Sequence, residues 1–135
     1  MKLRLRHNSI RLRLRKSEVE RLRQDGECRE MIVFPRCQSL EYVLERSADT
    51  AITASLTGTI IRIGIPARDL AVWCCSDQVG LSAEIPLGEA AILHVLVEKD
   101  FRCLDGGESE DQSDTFDNPL TKHLTCDRTP EENHF

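Results

Sequence analysis

The chain has 135 residues with a formal net charge of -5, 40% hydrophobic and 30% charged residues, and 4% aromatics. That is enough for one domain with a core of Leu, Ile and Val, and too little for two ordinary ones. No run approaches the roughly 18 apolar residues of a spanning helix, and strand alternation rather than an apolar signal core follows the basic start, so a cytoplasmic location is expected. The charge is polarised: residues 1–25 hold nine Lys/Arg against three acids, and residues 105–135 hold nine acids against two Lys/Arg.

In chain order, Lys2, Arg4 and Arg6, then Arg11, Arg13 and Arg15, alternate with Leu3, Leu5 and with Ile10, Leu12, Leu14. Period-two alternation predicts two half-buried strands. A two-residue Asn8-Ser9 turn would set Leu5 against Leu12 and Arg4 against Arg13, gathering the cations into one ladder. Ser17 with Glu20 fits a capping box for a helix over 18–24, closed by Gly26. Strands are predicted over 28–34, 40–46, 51–56 and 59–65. Pro66 then sits in the first turn of a helix over 66–76.

A short edge strand is expected at 81–85. Residues 90–101 contain the apolar run Ala91 to Val97, predicted as a central strand buried on both faces. No internal repeat of useful length is visible. After Leu104 the composition turns to Asp, Glu, Ser and Thr, so a single domain over 1–104 and a disordered acidic tail over 105–135 are expected. The predicted fold is α+β: a mainly antiparallel, curved sheet or partial barrel of six to eight strands with two short helices.

Arg4, Arg6, Arg11 and Arg13 are the candidate anion-binding residues, since guanidinium forks match phosphate oxygens. Like charges facing one another on a sheet cost about 0.2–1 kcal/mol per pair, so the ladder needs a counter-charge. Glu41, Glu45, Glu84, Glu98 and Asp100 could supply it internally. Of these, Glu41, Glu98 and Asp100 are also the acids that could hold a divalent metal. Six cysteines and four histidines carry no C-x-x-C pair, so no zinc and no cofactor is expected, and His94 within its apolar run is expected as a core histidine. There is no glycine-framed serine, phosphate-cradling loop or nucleotide fingerprint.

These residues point to a non-enzymatic anion-binding or protein-interaction module, with a phosphorylated small molecule, a polyanion or a protein as partner. The alternative is a metal-dependent phosphoester or triphosphate hydrolase with an Arg-lined pocket. In either case the acidic tail could fold back on the basic face and compete with the ligand.

The stretch Lys2-Leu3-Arg4-Leu5-Arg6-His7-Asn8-Ser9-Ile10-Arg11-Leu12-Arg13-Leu14, the stretch Val97-Glu98-Lys99-Asp100-Phe101-Arg102-Cys103-Leu104 and Phe116-Asp117-Asn118-Pro119 together resemble a family of small uncharacterised bacterial proteins. The resemblance spans about residues 1 to 119 and implies a bacterial cytosolic single-domain protein, with no activity to transfer. A second resemblance is to triphosphate-tunnel hydrolases, whose barrels line a tunnel with alternating charges. That family opens on Glu-x-Glu-x-Lys, whereas this chain has Lys2-x-Arg4-x-Arg6, so its metal-binding acids have no matching positions here.

Overall fold

A computed structural model describes residues 1–101 together with Phe116. Its elements are β1 (Lys2–Arg6), β2 (Ser9–Leu14), α1 (Lys16–Asp25), β3 (Glu27–Phe34), β4 (Gln38–Ser47), β5 (Thr53–Thr57), β6 (Ile60–Pro66), α2 (Ala67–Cys74), β7 (Gly80–Pro86) and β8 (Ile92–Lys99). The α+β class holds, but the single curved sheet does not. The strands form two four-stranded sheets, ordered β1-β2-β8-β7 and β3-β4-β6-β5. Each consists of two antiparallel hairpins joined along their inner strands, β2 with β8 and β4 with β6, by parallel pairing. The described strands close no barrel.

The chain is two copies of one ββαββ unit, which corrects the expectation of no repeat. The β1/β2 pairs Leu3↔Leu12 and Arg4↔Arg11 recur 51 positions on as Ala54↔Ile63 and Ser55↔Arg62 in β5/β6. The β3/β4 pair Cys28↔Leu44 recurs 53 positions on as Leu81↔Val97 in β7/β8. The two additional positions fall between α2 and β7. Each sheet therefore takes one hairpin from each unit. The units share their core positions, Leu12 and Ile63, Leu14 and Ile65, Val19 and Leu70, Leu22 and Trp73, every one of them buried. Their identities differ while their burial does not, so no string of matching letters reveals the repeat.

Local chemistry explains most element boundaries. The β1–β2 turn is His7-Asn8, with His7 at φ 51°, rather than Asn8-Ser9. Leu3 therefore faces Leu12, and Arg4 faces Arg11 instead of Arg13. A shift of two residues keeps every side chain on its predicted face. The helix α1 starts two residues earlier than the Ser17 cap implies, with Arg15 as its N-cap. Buried Glu18, at its third position, accepts a hydrogen bond from the Arg15 N–H at 2.8 Å and an ion pair from the Met1 amino group. Gly26 ends the helix at φ 82°, as expected. Pro66 is the last residue of β6 and the N-cap of α2, not a residue of its first turn.

The strand β8 is central in its sheet but buried on one face only, with Val95, Val97 and Lys99 inward and His94 exposed. Its apolar run hides the alternation because Leu96 lies on the outer face, half-buried between Arg11 and Ser82. His94 is correspondingly no core histidine; its Nδ1 lies 3.8 Å from Glu84 on the outer face.

Lys99 and Arg46 occupy equivalent positions where a strand passes the end of a helix. The Arg46 N–H donates to the Gly26 carbonyl at 2.8 Å and the Lys99 N–H to the Val79 carbonyl at 3.1 Å. Buried Lys99 also donates its ammonium to the Ser76 carbonyl at 2.7 Å, beyond the C-terminus of α2, where a cation suits the helix dipole. The ammonium lies 5.5 Å from the Trp73 ring centre and 5.4 Å from that of Phe116. Phe116 donates its N–H to the Asp100 carbonyl at 2.8 Å and meets Phe101 edge-on at 5.9 Å. A residue beyond the expected boundary at 104 thus packs against the core; the rest of 105–135 lies outside the described residues.

Phe116→Ala is expected to cost about 1–2 kcal/mol, several degrees in Tm, because it strips one aromatic face from Lys99 and Phe101. Truncation after Leu104 should lower Tm at least as much in thermal melts. Burial pushes the Lys99 pKa below its ordinary value of 10.5. The folded protein then binds fewer protons than the unfolded chain between the two values, so stability rises with pH across that window. Denaturant melts at rising pH up to about 10.5 should show wild type gaining stability relative to Lys99→Met.

Candidate anion-binding face

The outer face of the first sheet carries the predicted cations. β1 contributes Lys2, Arg4 and Arg6, and β2 contributes Arg11 and Arg13, with Lys2 opposite Arg13 and Arg4 opposite Arg11. Parallel pairing of β2 with β8 brings Glu98 beside Arg13. Its Oε1 accepts from Arg11 Nε at 2.8 Å and from Arg13 Nη2 at 3.4 Å. Lys2 Nζ stands 3.9 Å from the Asp100 carboxylate. Arg4 and Arg6 form no ion pair among the described residues. Counter-charge is thus concentrated along β8, and the uncompensated guanidinium groups lie toward the β1 edge.

Glu41 is elsewhere. It sits on β4 in the second sheet and accepts from Arg29 Nη1 at 2.6 Å. Arg29 also binds Glu27 at 3.0 Å, and these hydrogen bonds hold the Glu27 carboxyl below and the Arg29 guanidinium above their usual ranges. Arg62 on β6 bonds Glu45 on β4 at 3.0 Å. Arg29 and Arg62 flank Val43 in register, and Val43 is fully buried although it points away from the core. Arginine stems cover it while their heads reach the carboxylates.

The repeat supplies a comparison within one molecule. Arg62–Glu45 in the second sheet is the counterpart of Arg11–Glu98 in the first, both joining the inner parallel strands. This pair belongs to the architecture. The other cations do not: Lys2, Arg4, Arg6 and Arg13 correspond to Thr53, Ser55, Thr57 and Gly64. The same hairpin therefore forms without the ladder. Sequence inspection found the ladder but missed this contrast, because the counterpart hairpin shares only Arg62 with it on that face.

On the basic face Lys2 and Arg6 are exposed and Arg4, Arg11 and Arg13 half-buried. A pocket of about 400 Å³ lies at the start of α2, lined by Ser47, Asp49, Pro66 and Asp69 among others, and none of the ladder residues reaches it. Among the described residues no three His, Cys, Asp or Glu side chains converge as a metal site. Cys28, Cys37, Cys74 and Cys75 are free thiols. Burial pushes the Cys28 and Cys74 thiols above their ordinary value, away from nucleophilic reactivity. Cys103, Cys126, His123 and His134 lie outside the described residues. No described helix is long and apolar enough to cross a membrane.

Glu98→Gln leaves Arg11 and Arg13 facing Arg4 and Lys2 without their shared carboxylate. It should cost about 1 kcal/mol in denaturant melts at low salt and less at high salt.

No curated protein and no solved structure matches this chain. Residues 1–120 do match the model of a family of unknown function (DUF7009), and on that coverage the chain belongs to this family.

Proposed function

We propose that the protein is a non-enzymatic binding module that holds an extended polyanion across the outer face of its first sheet. Arg4 and Arg6 are the primary contacts, and Arg11 and Arg13 are the secondary ones. The observation that carries this reading is the asymmetry between the repeats, in which four cations stand where the equivalent hairpin has Thr53, Ser55, Thr57 and Gly64. Clustered like charge weakens a sheet. Its concentration on one copy of a duplicated hairpin is accounted for by a ligand that the other copy does not bind.

A sheet face with strands about 17 Å long suits a chain of phosphates tracked by several guanidinium groups better than a single enclosed phosphate. Among the described residues no Phe, Tyr or Trp side chain stands among the cations, which favours contact with a phosphate backbone over base stacking. The hydrolase alternative gains less support from the same geometry, because Glu98 is engaged by two arginines and Glu41 lies on the other sheet.

The test is a titration of polyphosphate and of short RNA at low and physiological salt. Wild type should bind with a strong salt dependence. The double substitution Arg4→Glu with Arg6→Glu should weaken binding at least tenfold at low salt and flatten the salt slope by about 1.5, as expected for two lost phosphate contacts. Ser55→Glu with Thr57→Glu, the equivalent change on the second sheet, should leave affinity within about twofold, the small remainder being long-range repulsion. Glu98→Gln should tighten binding by freeing two guanidinium groups. Absence of binding to either polyanion at low salt would overturn the proposal.

A further inference from the structure

Four strands form the edges of the two sheets, and three are protected against further pairing. The strand β1 is charged at every second position, β5 has five residues, and β7 carries Glu84 and ends in Pro86. Short length, charge and proline are the ordinary means by which an exposed edge is kept from accepting another strand. The strand β3 has eight residues, no proline, and an uncharged run Met31-Ile32-Val33-Phe34 at its outer end. All four side chains are exposed, Met31 at 59% and Val33 at 71%.

The repeat sharpens the contrast. In the equivalent edge β7, Glu84 stands at the position of Met31 and Pro86 at that of Val33, so both protective residues are replaced by apolar ones in β3. This end of β3 also lies beyond the core, since burial along its inward-facing side falls from Cys28 at 1% to Ile32 at 43% and Phe34 at 47%. Among the described residues nothing covers these apolar side chains.

We propose that β3 is the interface of a homodimer, formed by antiparallel pairing with β3 of a second copy about a two-fold axis at Ile32. The strand is self-complementary in that register. Ile32 meets Ile32 of the partner subunit and Met31 meets the partner's Val33, so the exposed apolar side chains on the outer face are paired with one another. The pairing extends the second sheet to eight strands and uses the edge's open N–H and C=O groups. A stable interface buries about 800 Å² per partner. Four strand residues and their main chain provide only part of that, so the dimer is concentration-dependent rather than obligate.

Sedimentation and light scattering from about 10 μM to about 500 μM test this, the range in which a small interface dissociates. Wild type should shift from monomer to dimer across the range. Val33→Lys should weaken dimerisation at least tenfold and Met31→Lys likewise, with thermal melts of dilute protein unchanged because both side chains are solvent-facing. Leu56→Lys, on the other edge of the same sheet and 70% exposed, should leave the dimer intact. Should Val33→Lys fold poorly, Val33→Thr provides the same test with a strand-compatible side chain. A wild type that stays monomeric throughout, or a dimer indifferent to both β3 substitutions, overturns the proposal and leaves the edge for a different strand partner.

Discussion

The parallel pairings of β2 with β8 and of β4 with β6 hold the molecule together. Each joins a hairpin from one half of the chain to a hairpin from the other, so neither half can complete a sheet by itself. A lone two-stranded hairpin is marginal in water, and only the exchange of hairpins supplies four-stranded sheets with an apolar face wide enough to bury. The helices follow from the same constraint. Each leaves an inner strand and packs its apolar stripe, Val19 and Leu22 or Leu70 and Trp73, into the core shared by both sheets. The arrangement is rich in contacts between distant parts of the chain, which places it among the slower-folding topologies.

The inner parallel strands also organise the charge. At the same point on both sheets an arginine of one strand bonds a glutamate of its parallel neighbour, Arg11 to Glu98 and Arg62 to Glu45. These pairs span the seam between the repeats on its solvent side, while Leu12 beside Val97 and Leu44 beside Ile63 close it on the core side. The remaining cations of β1 and β2 stand outside this design. The two units differ in their surfaces: the first hairpin carries positive charge that its counterpart lacks, and β3 has an apolar edge where β7 is blunted.

Duplication makes such departures interpretable. In a single-copy fold, an arginine row or an exposed valine has no reference. Here the equivalent position in the other unit shows what the backbone tolerates, and hence which residues the fold does not itself require. Lys99 against Arg46 follows the same logic. Both are cations at a helix end, but Trp73 and Phe116 enclose Lys99, whereas Arg46 remains at the surface.

The sequence by itself determined the elements and, except in β8, their faces. Alternation, capping and turn residues act over a few positions, so both helices, all eight strands and the basic side of β1 and β2 were legible, as was Glu98 as a neighbour for the arginines. It did not determine which strand lies beside which. Parallel pairing of β2 with β8 depends on contacts more than eighty residues apart, and such pairing leaves no periodic mark on either strand. The same holds for the repeat, whose copies share burial rather than letters, and for Glu41, which looks equivalent to Glu98 until the two are assigned to different sheets. Period-two patterns specify a face, but only the packed tertiary structure specifies a neighbour, because the choice among several apolar faces is made by the fit of the whole core.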